Sequence, residues 1–210
     1  MRFLFTERPA RGRRPAIFLD RDGVINHRIV GGYVAEWPEF RFLAGIPQAL
    51  GELSRLRLPI IVVSNQAGVG KRLVRRSALG QITERFVNLL GASGGRIDAV
   101  YYCPHTPADG CRCRKPLPGL LLRAARDWRL NLRASVMVGD GAHDMEAAQA
   151  AGCRGILLEA GRALPSAGPG SLPRPRAVVS LTRVQDLPSQ VAALLERFLP
   201  GDGLRDHDSA

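Results

Sequence analysis

The stretch Ala16-Ile17-Phe18-Leu19-Asp20-Arg21-Asp22-Gly23 sets the narrowest limits on how this chain can fold. Four apolar residues without polar alternation fit a strand buried on both faces, as in a parallel sheet. The run ends in two acids one residue apart, then a glycine. Asp20 therefore stands at the strand's end and Asp22 in the turn beyond. Two carboxylates this close repel unless a cation lies between them, and a hard divalent ion such as Mg²⁺ takes oxygen ligands. So held, one carboxylate can attack as a nucleophile while the other moves a proton. A lone acid-x-acid-Gly also fits a solvated turn after a strand, so the rest of the chain has to decide.

The rest of the chain repeats one motif: a short apolar run, then a helical period. Strands are expected at 16–19, 59–63, 97–102, 135–138, 155–158 and 177–179. Helices are expected at 46–56, from a cap at Ser77 to about Leu90, from Pro118-Gly119 to about Arg129 or Leu130, from a cap at Asp144 over 145–151 with Gly152 closing it, and at 187–199. Residues 23–44, with Gly31-Gly32 and Pro38, read as a long loop of the kind that carries function. Residues 160–176 read as a Gly/Pro/Ser-rich flexible loop. One domain is expected over 15–199, with a metal loop at 103–113. Residues 1–14 and 200–210 read as flexible tails, with Phe3 to Phe5 able to pack down.

Such alternation implies an α/β fold: a parallel sheet with helices on both faces. Right-handed crossovers put every strand's carboxyl end on one edge, where such sheets bind ligands. Asp20 and Asp22, Ser64 and Asn65, Arg114 and Lys115, and Asp140 then meet on a single rim. Their chemistry suits phosphoryl transfer, which needs a cation, fixed donors and an in-line nucleophile. Asp140 can complete a Mg²⁺ site with Asp20 and the backbone carbonyl of Asp22. Lys115 compensates charge, and Ser64 and the amides of the first turn hold phosphate oxygens. Singly, each residue has a plainer reading as turn former, surface lysine or helix cap. Four groups at four successive strand ends, in this order, are harder to obtain by accident.

Cys103-Pro104-His105 and Cys111-Arg112-Cys113 bracket a five-residue turn spacer. Three thiolates and an imidazole suit a closed tetrahedral Zn²⁺ site, structural because Cys103, His105, Cys111 and Cys113 would fill every position. A disulfide is the rival reading. Tying this loop down would position Arg114 and Lys115 over the phosphate.

Asp20-Arg21-Asp22-Gly23, Ser64-Asn65-Gln66, Arg114-Lys115-Pro116 and Gly139-Asp140 with Asp144 together resemble the haloacid dehalogenase superfamily of phosphatases, over residues 15 to 198. The resemblance implies a Rossmann-like sheet without a large cap domain, Asp20 as nucleophile, Asp22 as acid and base, an aspartyl-phosphate intermediate and a Mg²⁺ requirement met by Asp20, Asp22 and Asp140. The zinc loop narrows the likeness to the heptose bisphosphate phosphatases and the related histidinol-phosphate phosphatases. Gly32-Tyr33-Val34 and Val62 to Gly70 lean toward the heptose group. That likeness implies substrate contacts at Arg21, Gly32, Tyr33, Ser64, Asn65, Gln66, Ala67, Arg114 and Lys115. The heptose group often has a lysine directly after the fourth-motif aspartate. Here that residue is Gly141, so that substrate contact is either missing or supplied elsewhere, by His143 or a basic residue near Arg72. Two extra residues also lie between Asn26 and Tyr33.

The 30 lysines and arginines against 19 acids give a net charge of +11. Such a surface suits phosphorylated substrates or nucleic acid. A non-catalytic zinc protein that binds nucleic acid is the reading from another class. It calls for stacking aromatics that this chain, 6% aromatic, has few of, and the acid rim would repel phosphate. No nucleic-acid or membrane partner is therefore expected, and the partner is a small phosphorylated sugar. The absence of long apolar stretches and the clustered cysteines favour a reducing, cytoplasmic setting, with a monomer as the default.

Overall fold

A computed structural model of the 210-residue chain describes residues 1–6, 13–160 and 178–196. Among these, seven strands form one sheet. They are β1 (Arg2–Leu4), β2 (Ile17–Leu19), β3 (Ile60–Asn65), β4 (Ala99–Cys103), β5 (Val136–Gly139), β6 (Arg154–Leu158) and β7 (Val178–Leu181). Their spatial order is β1-β4-β3-β2-β5-β6-β7, parallel throughout except for β1. The strand carrying the acids is central, between β3 and β5, with the Asp20 amide donating to the Val138 carbonyl at 2.9 Å.

Both faces of β2 are dry. Ile17 and Leu19 enter one apolar core, and Ala16 and Phe18 enter the other. The first core is closed by α1 (Ile46–Arg55), α3 (Arg76–Ala92) and α6 (Leu187–Leu195). The second is closed by α4 (Gly119–Trp128) and α5 (Ala142–Ala151). The periodic apolar positions of α1, namely Ile46, Ala49, Leu50 and Leu53, are its buried ones, as a helix against a sheet requires.

Several elements differ from the sequence expectations. Residues 1–14 are not wholly a tail, since Arg2–Leu4 pairs antiparallel with β4. Phe3 packs edge-on against Tyr102, and Arg2 binds Asp127 at 2.6 Å. Ser77 is no cap, because the third helix starts at Arg76 with Arg75 before it. Asp144 does not precede its helix either. The helix starts at Ala142, and Asp144 accepts the Gly141 amide at 3.1 Å from inside the first turn. A single helical turn, α2 (Ala67–Gly70), occupies what reads in sequence as a glycine loop. Its glycines serve close approach: a Cβ on Gly70 would sit 2.6 Å from the Pro104 carbonyl oxygen. The expected loop at 160–176 falls outside the described residues beyond Ala160, as do Ala177 of the sixth expected strand and 197–199 of the last helix.

Candidate active site

Parallel register brings the ends of β2, β3 and β5 level, and Asp20, Ser64, Asn65 and Asp140 follow from that. The tight turn after β2 is closed by Gly23 N–H to the Asn26 carbonyl, at 2.7 Å. Gly23 takes φ +87°, and a Cβ there would stand 2.0 Å from Asp140 Oδ2. Only glycine lets the turn pass this close to the acid on the neighbouring strand.

Lys115 is buried beneath the rim. Its ammonium lies 3.0 Å from Asp20 Oδ2 and 2.5 Å from Asp144 Oδ1, and donates to the Val63 carbonyl at 3.0 Å. Burial pulls its pKa down, but Asp144 and Asp20 outweigh that and raise it. The loop holding Lys115 is pinned to β3 in two directions. The Asn65 side-chain amide donates to the Lys115 carbonyl at 3.0 Å, and the Lys115 amide donates to Asn65 Oδ1 at 3.1 Å.

Asp20 and Asp22 have different surroundings. Burial pushes the Asp20 carboxyl up, against the pull of Lys115 and a hydrogen bond from Ser64. Asp22 is held below the usual carboxylate range, because its partners overcome its burial. Arg21 grips it with Nη2 at 2.8 and 2.9 Å, and Asn26 and Gln66 donate at 2.9 and 2.8 Å. Burial pushes the Asp140 pKa up to about 7, Asp20 and Asp144 push the same way, and Arg28, at 2.5 Å, opposes them.

Two groups of side chains have the chemistry of metal sites. Carboxylate oxygens of Asp20, Asp140 and Asp144 lie within 4.8 Å of one another. Three buried hard oxygen donors fit Mg²⁺ rather than a soft metal. Asp144 adds a third carboxylate to this group, while the Asp22 carboxylate faces Arg21, Asn26 and Gln66 and leaves only the backbone carbonyl of Asp22, the atom the sequence reading named, for the ion. The second group is Cys103, His105, Cys111 and Cys113. Their sulfur–sulfur distances are 3.3 to 3.6 Å, and His105 Nδ1 lies 3.6 and 3.3 Å from the sulfurs of Cys103 and Cys113. Thiolates about 2.3 Å from a common Zn²⁺ would stand roughly 3.8 Å apart at tetrahedral angles, so the set fits that ion.

A cleft of about 460 Å³ opens over Asp20 and Asp22. Gly32, Tyr33, Ser64, Asn65 and Arg114 line it, as the sequence led one to expect. Gln66, Ala67 and Lys115 do not. They are buried behind the wall, where Gln66 holds Asp22 and Lys115 holds Asp20. The Arg21 side chain, expected to contact substrate, does not line the cleft either: it is 1% exposed, Nε and Nη2 bind Asp22, and the guanidinium lies 5.9 Å from the Tyr102 ring centroid. Arg28 lines the cleft unannounced, and Lys71, the base next to Arg72, lines it as expected, 5.6 Å from the Tyr33 ring centroid. His143 reaches it as expected, whereas Arg72 does not line it.

An acid at the end of the central strand, a second acid two residues on, and a lysine and two more acids converging from later loops define a class, the hydrolases of the haloacid dehalogenase type. Residues 112–184 match the family model described as HAD-hydrolase-like. The D-glycero-beta-D-manno-heptose-1,7-bisphosphate 7-phosphatase of Yersinia pestis is 35% identical over 187 residues, covering 85% of this chain and 96% of its own. The chain belongs to this family of 7-phosphatases. The protein of the same name from Escherichia coli K12 is 40% identical over 144 residues, which cover 65% of this chain and 74% of its own. The crystal structure of D,D-heptose 1,7-bisphosphate phosphatase from B. bronchiseptica, complexed with magnesium and phosphate, is 32% identical with a TM-score of 0.78, over 85% of this chain and 98% of that one.

Proposed function

We propose that this protein is a Mg²⁺-dependent phosphatase that removes the C7 phosphate of D-glycero-D-manno-heptose 1,7-bisphosphate, in the supply of nucleotide-activated heptose. The observation that carries the reading is the pairing of Asp20 with Lys115 under a cleft that Asp22, Ser64 and Arg114 also line. The relatives' names supply the sugar. No helix among the described residues is long and apolar enough to cross a membrane.

Asp20 is the nucleophile. Its carboxylate oxygen attacks phosphorus, and the bond from phosphorus to the C7 oxygen breaks. Lys115, fixed 3.0 Å from Asp20, keeps that carboxylate ionised against its burial. Ser64 and Arg114 face the phosphoryl oxygens from the cleft wall. Asp22 gives its proton to the departing C7 oxygen, then takes one from the water that attacks the aspartyl phosphate. Inorganic phosphate leaves and the Asp20 carboxylate returns. The donors around Asp22 favour its ionised form, which suits the second step. The first step requires the Arg21 grip to loosen as the substrate phosphate arrives. Mg²⁺, held by Asp20, Asp140 and Asp144, would neutralise charge shared by phosphate and carboxylates.

The test is phosphate release in Mg²⁺ from both anomers of heptose 1,7-bisphosphate, from histidinol phosphate and from common hexose phosphates. A preference of at least about tenfold in kcat/KM for a heptose bisphosphate is expected, worth roughly 1.4 kcal/mol in the transition state. Equal or better turnover of histidinol phosphate would reject the sugar. No turnover of any phosphate by folded protein in Mg²⁺ would reject the reaction.

Two results concern the metals. A carboxyl whose pKa is raised on folding costs stability as pH climbs from its unfolded value to its folded one. For Asp140 that window runs from about 4 to about 7, and binding a cation to its ionised form reverses the loss. The rise in melting temperature on adding Mg²⁺ is therefore expected to be larger at pH 8 than at pH 5.5, with a stabilisation of about 2.7 kcal/mol at a hundredfold excess over Kd. A larger rise at pH 5.5 would contradict this. For zinc, elemental analysis should find one ion per chain on Cys103, His105, Cys111 and Cys113. Its removal by chelator should raise KM about tenfold by loosening Arg114, whose Nη1 donates to the His105 carbonyl at 3.4 Å.

A further inference from the structure

We infer that Arg28 is a positioning residue that links cation binding to anion binding at this cleft. The inference rests on the reading of Asp20, Asp140 and Asp144 as the Mg²⁺ site. Arg28 Nη2 donates to Asp140 Oδ1 at 2.5 Å, so the guanidinium already occupies an oxygen of the acid cluster. An arginine and a divalent cation compete for such an oxygen, because both are drawn by the same charge. The two partners differ in freedom: the Asp140 side chain is 9% exposed and that of Arg28 is 45% exposed. Arg28 also lies outside any helix or strand, where moving it breaks no ladder bonds. Arg28 is the partner that moves.

Its position says where it goes. Arg28 lines the 460 Å³ cleft and also a second hollow of about 430 Å³ that Asp140 lines. It therefore stands in the wall between them. The acids lining the two spaces are Asp20, Asp22 and Asp140. Lys115 pairs with Asp20, and Arg21 pairs with Asp22. Once a cation neutralises Asp140, no unpaired carboxylate remains there for Arg28. The anion above Asp20 becomes its partner, and a guanidinium binds phosphate oxygens through paired donors. Cation and phosphate thus assist one another through one side chain, a coupling that must run equally in both directions.

The experiment compares the full-length protein with Arg28→Gln and Arg28→Lys by calorimetric titration. It is run at pH 8.5, above the value of about 7 for Asp140, so that protons do not compete with the metal. With Mg²⁺ alone as the probe, Arg28→Gln should bind about fivefold more tightly, since its competitor is gone. With inorganic phosphate in saturating Mg²⁺, the same variant should bind about fivefold more weakly. Arg28→Lys, which keeps the charge but not the fork, should fall between in both. Damage to the fold would weaken both affinities, so opposite signs separate the proposed role from a structural one. A Mg²⁺ affinity unchanged or weakened in Arg28→Gln overturns the inference, as does an unchanged phosphate affinity. Failure of the unaltered protein to bind Mg²⁺ overturns the metal reading and the inference with it.

Discussion

Asp20→Asn is expected to lower kcat by roughly 10⁴-fold or more while leaving the fold intact. The amide matches the carboxylate in shape but cannot attack phosphorus as an anion. Lys115 keeps its contact with Asp144 at 2.5 Å, so the substitution strands no buried ammonium. It also relieves repulsion, since Asp144 and Asp22 both push the Asp20 pKa upward. The melting temperature in the absence of Mg²⁺ should therefore hold or rise. Phosphate release and thermal unfolding on the same preparation check both halves. Retention of more than about one hundredth of the activity would remove Asp20 as the nucleophile.

Lys115→Met should have the largest effect on stability. Asp20 and Asp144 would then face each other, buried, with no cation between them. Leaving a buried charge without its partner costs about 3 to 5 kcal/mol. The sign with pH follows from the acids. Burial already pushes the Asp20 carboxyl up, and without Lys115 it rises further, so the loss grows as pH rises and shrinks where Asp20 can be protonated. Urea unfolding without Mg²⁺ at pH 8 and pH 5 measures the difference, and a loss no larger at pH 8 would refute the account. Activity should fall about a hundredfold or more as well, because the charge beside the nucleophile is gone.

The central strands and most of the rim were legible because their signals are local. An uninterrupted apolar run that ends in a polar residue announces a buried parallel strand and, at its end, a candidate group. Ala16 to Asp20, Pro59 to Asn65 and Ser135 to Asp140 all carry that signature. The ligand loop was legible from spacing and donor type. The rest depends on partners distant in sequence. Three residues cannot betray a strand, and β1 exists because Phe3 finds Tyr102 and Arg2 finds Asp127. Arg21 looks like a substrate clamp until its neighbour neutralises it and the Tyr102 ring covers it. Asp144 reads equally as a cap or as an acid of the metal site, and its tie to Lys115 on another loop is what sequence spacing does not show. Arg28 reaches the cleft along irregular backbone, where no period marks which side chains turn inward.

The strand order has a consequence for the chain as it is made. Ile17 pairs with Val136, and Asp140 lies just past the strand that completes β2 on that side. At roughly 5 to 20 residues per second, β2 waits several seconds or more on the ribosome for its second neighbour. Until then one edge of β2 has no partner, and Asp20 has neither Asp140 nor Asp144 beside it. A nascent chain short of β5 therefore carries Asp20 but not the cluster of acids that surrounds it in the folded protein. The same ordering makes the closing of this edge a candidate for the slow event in folding, since pairing so distant in sequence pays its loop-closure entropy first.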